Sequence, residues 1–326
     1  MTSLESSEGG TGELNLIRHF RVHAPKHPWL AVGPGQDCAI LNWAAERDLA
    51  FKIDQVIEGT HFLLKPNSSG DTVATPYQVG WKAMAKACSD IAACGFWPVA
   101  ATVAVNLPKN TDAQLAMELH RGICACCERF SFALAGGDIS CSDNGLSVVV
   151  SLIGEGLKNG AWLRTGAKPG DILIVTGSLG GSRMQKHLSF LPRLEEARQI
   201  RSIIPNGVHA CIDITDGLSR DLRHMCDESG CGATIFEKSI PHSADSVKNA
   251  SIDGKTLLQH ALEDGEDFEL LLAIEPSAAQ QLRTRHMHNV QLTIIGTVEG
   301  ADMGCGLVNQ AGTREPLPDL GYEHRT

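Results

Sequence analysis

Alternating apolar and polar positions mark much of the first half of the chain. In LAFKIDQ, Phe51 and Ile53 fall on one face of a strand, whereas Lys52 and Asp54 fall on the other. Helical spacing marks LNLIRHF and the alanine-rich stretch that ends at Gly95. Further strands are predicted at DCAILNW, PVAATVAVNLP, SFALAGGD and NGLSVVVSLIGEG, with a further helix from Asp112 to about Phe130. The first half is therefore predicted to alternate sheet and helix.

A polar, turn-rich segment, KNGAWLRTGAKPGD, separates this half from a second series of elements. Strands are predicted there at DILIVTG, VHACIDI, ATIFE, FELLLAIE and QLTIIGTVE, and helices from near Ser178, Asp216, Lys255 and Pro276. We therefore predict an α/β (α+β) fold of two domains. A disordered leader is expected at residues 1–12, an amino-terminal domain at 13–156 and a carboxy-terminal α/β domain at 157–326.

The composition agrees with two globular domains in a reducing compartment. The 326 residues are 43% hydrophobic and 20% charged, and a chain of this length exceeds one ordinary core. Membrane-spanning and signal-peptide segments are absent from the sequence, which predicts a cytoplasmic protein. Most of the eleven cysteines sit in apolar runs, as buried hydrophobes do. Metal binding by Cys124, Cys126 and Cys127 is the less favoured alternative, because no second pair with zinc-site spacing follows.

Charge narrows the possible partners. A net charge of −10 argues against nucleic-acid binding, which needs a basic face. An acidic protein can still bind polyphosphates when divalent cations lie between the two. The two common phosphate-binding loops are missing, since no glycine-rich loop ends in Lys-Ser/Thr and GPGQDC lacks the third glycine of the dinucleotide fingerprint.

Aspartates at strand ends or among small residues offer another way to bind phosphates. Mg²⁺ takes hard oxygen ligands, commonly carboxylates together with water and substrate phosphates. Each of these residues alone could equally be a turn or cap residue. Asp90 fits that alternative poorly, because an aspartate within an alanine-rich helix is intrinsically unfavourable. The candidates are Asp37, Asp54, Asp90, Asp138, Asp213 and Asp216.

Two later segments add candidate anion and acid sites. In IDITDGLSRDL, Thr215 or Asp216 is predicted to cap a helix whose amino terminus favours an anion, although a plain capped helix explains the pattern equally well. DGEDFELLL places four acids before a strand, which is more than a turn requires: Asp264, Glu266, Asp267 and Glu269.

Taken in order, these motifs resemble those of the thiamine-monophosphate kinase family. The similar segments are GPGQDCAIL, EGTHF, GWKAMAKACSDIAACGFWPV, GGDIS, LRTGAKPGD, DITDGLSRDL with SGCGA, DGEDFEL and GYEH, which run from about residue 33 to 324. The superfamily includes aminoimidazole-ribonucleotide synthetase and selenophosphate synthetase. The resemblance implies an amino-terminal mixed-sheet domain of the aminoimidazole-ribonucleotide-synthetase type, which binds ATP and metal and pairs across a homodimer.

The resemblance also implies a reaction and residue roles. The expected kinase transfers the γ-phosphoryl group of ATP to thiamine monophosphate, giving thiamine diphosphate, with Mg²⁺ neutralising charge. A general base is not expected, because the acceptor is a phosphate oxygen. By resemblance, the metal ligands are Asp37, Asp54, Asp90, Asp138, Asp213 and Asp216, among which Asp90, Asp138 and Asp216 are assigned to catalysis. Likewise Gly137, Asp138, Arg164 and Thr215 are assigned to ATP, and His61, Glu266 and Tyr322 to the acceptor.

Three of these assignments have simple alternatives, and two positions depart from the family pattern. His61 could be an ordinary loop histidine, Arg164 a surface charge of the linker and Tyr322 a terminal anchor. The family's first motif usually carries two adjacent aspartates, where this chain has Gln36 before its aspartate. Its second usually reads Ser-Thr-Asp, where this chain has Lys52 two residues before the aspartate.

Asp to Gln and Ser to Lys each change the net charge by one positive unit. The total change of two units equals the charge of one magnesium ion. We hypothesise that Lys52 takes the place of one metal and pairs with Asp54. Two alternatives remain at this point. The chain could be a diverged relative that has lost the reaction or uses another phosphate acceptor, or a regulatory protein that binds nucleotide without consuming it.

Overall fold

The computed structural model describes residues 28, 30–32, 36–66, 72–284 and 290–322. The predicted leader, the predicted helix at LNLIRHF and residues 33–35 of the GPGQDC motif lie outside these ranges. Within them, two mixed sheets are each covered by helices, which confirms the predicted α/β (α+β) class. In this part of the chain, helices of the length and hydropathy needed to span a bilayer are absent.

The first sheet has six strands in the order β1-β2-β3-β6-β4-β5. Strands β4 and β5 run parallel, and the other neighbours run antiparallel. On β3 the even-numbered side chains are turned inward, so that Lys52 and Asp54 share the covered face with Ala50 and Val56. The strands are β1 (Leu30–Val32), β2 (Ala39–Asn42), β3 (Arg47–Ile57), β4 (Trp97–Pro108), β5 (Ala133–Ser142) and β6 (Ser147–Leu157).

Two helices, α1 (Pro76–Ala93) and α2 (Ala113–Phe130), accompany this sheet. Thr75 and Gln78 form a capping box at the start of α1. Asp112 caps α2, which confirms the helix predicted from Asp112 to about Phe130. The two helix backbones touch, because a Cβ atom at Gly122 would lie 1.9 Å from the carbonyl oxygen of Tyr77. Glycine is therefore required at this crossing.

The second sheet has seven strands in the order β13-β12-β9-β11-β7-β10-β8. Its strands are β7 (Ile172–Thr176), β8 (Val208–Asp213), β9 (Gly232–Phe236), β10 (Leu270–Ile274), β11 (Leu292–Glu299), β12 (Cys305–Val308) and β13 (Arg314–Pro316). The α-helices of this half are α3 (Lys186–Ser189), α4 (Leu194–Ile203), α5 (Leu218–Ser229), α6 (Ala244–Asp253), α7 (Leu257–Glu263) and α8 (Pro276–Thr284). Short 3₁₀ turns occur at Ser182–Met184, Glu237–Ser239 and Ala301–Met303.

Helix α1 belongs to the cores of both halves. It packs on β3 and β6 of the first sheet and on β8, α3 and α4 of the second half. Cys88 and Ile91 of α1 share one buried cluster with Cys211 and Leu272 of the second sheet. The opposite face of that sheet forms a separate core beneath α5. Side chains on α1 are therefore held between the two sheets.

The helix predicted from near Ser178 needs correction. No helix begins near Ser178 in the described structure. Gly180 and Gly181 have φ angles of 81° and 71°, which a right-handed helix cannot contain. The 3₁₀ turn and the short helix α3 follow instead. The sequence patterns also missed α4, α6, β12 and β13. The domain boundary after residue 156 stays a prediction, in a connection that runs from β6 to β7.

Candidate functional site

A cleft of about 200 Å³ opens where α1 meets the second sheet. Strand β3, helix α1, the linker and the loops after β8 and α7 all contribute to its walls. Most of the residues predicted for a site line this cleft: Asp54, His61, Asp90, Arg164, Asp213, Thr215, Asp216, Glu266 and Tyr322. Residues far apart in sequence are thus brought together as the motifs predicted.

Three buried carboxylates form the acidic centre beside this cleft. Each of Asp37, Asp90 and Asp213 offers an oxygen, and these oxygens all lie within 4.8 Å of one another. Burial, and then the charge of Asp37, raise the pKa of Asp213 to about 6. Burial also raises the pKa of Asp90, with the neighbouring aspartates adding to the effect against the opposing charge of Lys52. Such a cluster has the oxygen donors that a hard divalent cation requires.

Hydrogen bonds fix two of these carboxylates. The guanidinium of Arg164 donates from Nε and Nη2 to Oδ1 of Asp37, at 3.0 and 2.6 Å. Ser89 donates to Oδ2 of Asp213 at 2.6 Å. The side-chain oxygen of Gln36 accepts from the backbone N–H of Arg164 at 2.7 Å. Gln36 therefore holds the linker in place rather than facing the cleft.

Two lysines pair with Asp90 of the acidic centre and with the neighbouring Asp54. Nζ of Lys52 lies 2.8 Å from Oδ1 of Asp90 and 3.8 Å from Oδ2 of Asp54. Nζ of Lys86 lies 2.9 Å from Oδ1 of Asp54. Burial opposes the charge of Lys52, but Asp90 and Asp54 outweigh it and raise the pKa of the ammonium above its ordinary value. The predicted pairing of Lys52 with Asp54 is therefore present, although Asp90 is the nearer partner.

Sequence reasoning did not single out Lys86. Its signal was available, since Lys82, Lys86 and Asp90 recur every four residues of α1 and so lie along one helix face. The alanines between them drew attention to close packing instead. Lysine at this spacing on an otherwise small-residue helix indicates a face turned toward negative charge.

A second charged pair supports the loop side of the cleft. Lys82 is fully buried, and its Nζ lies 2.7 Å from Oε1 of Glu266 and donates to the carbonyl oxygen of His61 at 2.6 Å. Burial opposes ionisation of Glu266, but Lys82 outweighs it and lowers the pKa of the carboxyl. Glu266 has a φ of 53°, and its N–H donates to the carbonyl of Thr215 at 2.6 Å. This lysine therefore joins α1 to the acidic loop before β10.

His61 is positioned as a neutral donor. Its Nδ1 accepts from the backbone N–H of Ile57 at 3.1 Å, so that the neutral ring carries its proton on Nε2. Burial, and then the charge of Lys86, lower the pKa of His61 to about 4. The imidazole can therefore donate one hydrogen bond at neutral pH.

The other acids of DGEDFELLL stabilise the loop. Asp267 is buried and accepts from the N–H of Gly180 at 3.0 Å. Asp264 accepts from the N–H of Gly181 at 2.6 Å. Glu269 accepts two hydrogen bonds of 2.6 Å from Arg193. The excess of carboxylates over what a turn requires is thus explained in part by buried ionic and backbone contacts.

The turn after β8 is organised by an aspartate that the sequence did not indicate. Neither Thr215 nor Asp216 caps α5, because the residue at that position is Gly217, with a φ of 105°. The carboxylate of Asp221 instead accepts from the N–H groups of Thr215 and Asp216, at 2.9 and 3.0 Å. The N–H of Tyr322 donates to the carbonyl of Asp216 at 3.0 Å, which places Tyr322 at the cleft.

The predicted residues Gly137 and Asp138 do not reach this cleft within one chain. They lie on β5, the edge strand, where Asp138 pairs with Ala104 of β4. Strands β4 and β6 separate β5 from β3 and Asp54. Gly137 and Asp138 line another cavity, between β4, β5 and α2.

Comparisons with known proteins agree with this architecture. Residues 35–156 match the model of the AIR synthase related protein N-terminal domain, and residues 168–305 match that of the C-terminal domain. The thiamine-monophosphate kinase of Rhodopirellula baltica is 36% identical over 296 residues, covering 88% of this chain and 90% of that protein. The corresponding protein of Salmonella typhimurium is 32% identical and covers 96% and 98%.

A solved structure of a similar protein supports the same relationship. AaThiL complexed with AMPPCP and TMP superposes with a TM-score of 0.81 at 26% identity, covering 99% of this chain and all of that one. The hydrogenase maturation protein HypE of E. coli, at 24% identity and a TM-score of 0.69, shares the fold. The chain therefore belongs to the thiamine-monophosphate kinase family of the AIR synthase related proteins.

Proposed function

We propose that the protein transfers the γ-phosphoryl group of ATP to thiamine monophosphate, giving thiamine diphosphate and ADP. The observation that carries this proposal is the cleft itself, which gathers the acidic centre, four cationic side chains and the loop of Glu266. Phosphoryl transfer depends on in-line positioning and on neutralising spread negative charge, which such a cleft can provide. The cations are Lys52, Lys86, Arg164 and Arg183.

Magnesium is the metal that we propose for the acidic centre. Asp37, Asp90 and Asp213 supply clustered oxygens, and burial, with the neighbouring carboxylates adding to it, raises the pKa of Asp213 and Asp90. This donor set fits Mg²⁺, which would supply charge neutralisation at the phosphates. Asp54 and Asp216 line the same cleft. Asp216 is proposed to contribute to this binding, whereas Asp54 is paired with Lys86 and Lys52.

The chain's own residues divide between the two substrates. We propose that Arg164 and Thr215 bind the phosphates of ATP, and that Glu266, His61 and Tyr322 bind the acceptor. An ionised Glu266, held by Lys82, suits the cationic thiazolium ring. The Nε2–H of neutral His61 suits a phosphate oxygen. The nucleophile is an oxygen of the acceptor's phosphate group. Since this oxygen is already ionised, no side chain needs to remove a proton.

A homodimer is also proposed, formed by the open face of the first sheet. Phe51 and Ile53 on β3 are 47% and 68% exposed, and Val99 on β4 is 42% exposed. We propose that Gly137 and Asp138 on the adjacent edge strand contact nucleotide in that assembly. Sedimentation velocity of the full chain tests the assembly directly.

A cytoplasmic location is proposed on the cysteines. All eleven lie in the described part of the chain, and none of them forms a disulfide there. Free cysteines of this number favour a reducing compartment.

The test of function is product formation. Purified protein with Mg²⁺, ATP and thiamine monophosphate should give thiamine diphosphate by chromatography, and Asp90→Asn should abolish it. Binding of ATP without thiamine diphosphate would contradict the proposal. Lys52 and Gln36 would then mark a diverged relative with another acceptor or none.

A further inference from the structure

Two ammonium groups cover the carboxylates on the β3 side of the cleft. Lys52 donates to Oδ1 of Asp90 at 2.8 Å and lies 3.8 Å from Asp54. Lys86 lies 2.9 Å from Oδ1 of Asp54. One carboxylate is thus shared between two lysines, and one lysine bridges two carboxylates. The four side chains form a chain of alternating charge, which we call the lysine bridge.

Both lysines are held in place by the fold. Lys52 lies within β3, where it pairs with Leu152 of β6, and its side chain is 21% exposed. Lys86 lies in the third turn of α1, a helix packed against both sheets, and also donates to the carbonyl of Gln55 at 3.3 Å. The ammonium positions therefore follow from strand and helix geometry rather than from flexible loops.

An ammonium group and a divalent cation compete for the same oxygens. A lysine ammonium donates hydrogen bonds and cannot ligate a metal, and a divalent ion at Oδ1 of Asp54 or Asp90 would lie beside a like charge that opposes its binding. Together the two lysines carry the charge of one divalent ion. On the far side of Asp90, within the described part of the chain, Arg164 binds only Oδ1 of Asp37 and the neutral hydroxyl of Ser89 binds only Oδ2 of Asp213, so that the second oxygen of each carboxylate is left for a metal ion.

We propose that the lysine bridge replaces one divalent ion of the nucleotide site, so that this protein binds its metal on the Asp37 and Asp213 side alone. The ammonium groups of Lys52 and Lys86 then face the transferring phosphate themselves. This inference rests on the proposed function in taking the cleft to be a nucleotide and metal site. It goes beyond the proposed function because it predicts how many divalent metal ions bind.

Counting Mn²⁺ tests the inference. Free Mn²⁺ is measured by electron paramagnetic resonance during titration of the full chain, with and without a non-hydrolysable ATP analogue. The double variant Lys52→Met with Lys86→Met should bind one more Mn²⁺ per chain than the wild type. Lys52→Arg with Lys86→Arg keeps both charges and should retain the wild-type count. Lys109→Met removes an exposed lysine paired with Asp143 and should also leave the count unchanged.

Equal counts in the wild type and the folded methionine pair would overturn the inference. If the pair does not fold, Lys86→Met alone decides, because loss of one ammonium should tighten Mn²⁺ binding at least about fivefold, and unchanged affinity overturns the inference. Thiamine diphosphate formation is assayed in parallel. If the methionine pair binds one more Mn²⁺ than the wild type but the wild type forms no thiamine diphosphate, the inference is supported and the proposed function is contradicted. If the wild type forms thiamine diphosphate and the two counts are equal, the proposed function is supported and the inference is contradicted.

Discussion

Replacing Lys82 by methionine should damage both stability and acceptor binding. The ammonium is fully buried and pairs at 2.7 Å with Glu266, whose side chain is 18% exposed. Methionine fills the space of the stem but leaves a largely desolvated carboxylate without its partner. Breaking a buried ion pair on one side costs about 3 to 5 kcal/mol, and we expect the lower end because Glu266 retains some contact with water.

The assay is urea unfolding at pH 7, followed by circular dichroism, on a complete double-mutant cycle. Glu266→Gln alone leaves Lys82 buried and should also destabilise the protein. The double variant removes both charges and should lose less than the sum of the two singles, with a coupling of about 1 to 3 kcal/mol. Additive losses would refute an energetic link between these two residues.

Kinetics separate positioning from plain structural damage. Since Lys82 also holds the carbonyl of His61, its loss should raise KM for thiamine monophosphate about tenfold, equal to about 1.4 kcal/mol of binding, while KM for ATP changes little. Lys158→Met is the matched control, because Lys158 pairs at 2.7 Å with the buried Asp48 away from the cleft. It should lose stability without any change in KM. An unchanged KM in Lys82→Met would refute the positioning role.

Three further outcomes are expected. An unfolded histidine titrates near pH 6.5, whereas burial, and then Lys82, lower the pKa of His187 to about 4. Because the unfolded chain binds this proton first, the free energy of unfolding should fall by up to about 3 kcal/mol as pH drops from 6.5 to 4. A pH series of urea melts should show less of this fall in His187→Asn. Gly122→Ala should cost about 3 kcal/mol or more in thermal melts, because the new methyl meets the Tyr77 carbonyl; a loss below about 1 kcal/mol would contradict the close crossing. Asp138→Asn, on an exposed strand, should weaken ATP binding by calorimetry with stability unchanged within about 0.5 kcal/mol; unchanged ATP binding would contradict its assignment.

Local patterns predicted much of the fold, because the signals that set strands and helices are local. Alternation placed β3 and put Lys52 and Asp54 on one face, and the helix from Asp112 to about Phe130 was predicted within one residue of its bounds. The segment after β7 failed because Gly180 and Gly181 adopt positive φ, which propensity alone does not reveal. In each case the accuracy depended on whether neighbouring residues determine the conformation.

Most of the predicted aspartates lie together in the structure, with Asp138 on β5 as the exception, but the contacts that hold them were not predictable. Asp90 was identifiable because helix interiors disfavour aspartate. The pairing of Lys82 with Glu266 joins residues far apart in the chain, and only tertiary packing brings them together. The same holds for Arg193 and Glu269, so that an acid cluster read from sequence mixed carboxylates that line the cleft with structural ones.

The place of α1 in both cores also bears on how the protein can move. Enzymes with a site between two domains commonly close by a hinge rotation. Here such a rotation would pull α1 away from β3 or from β8, since the helix packs on both. We therefore expect enclosure of substrates to fall to short segments that line the cleft, such as the turn at His61 and the residues that lead to Tyr322. The rate of product release should then be set by these short segments rather than by movement of whole domains.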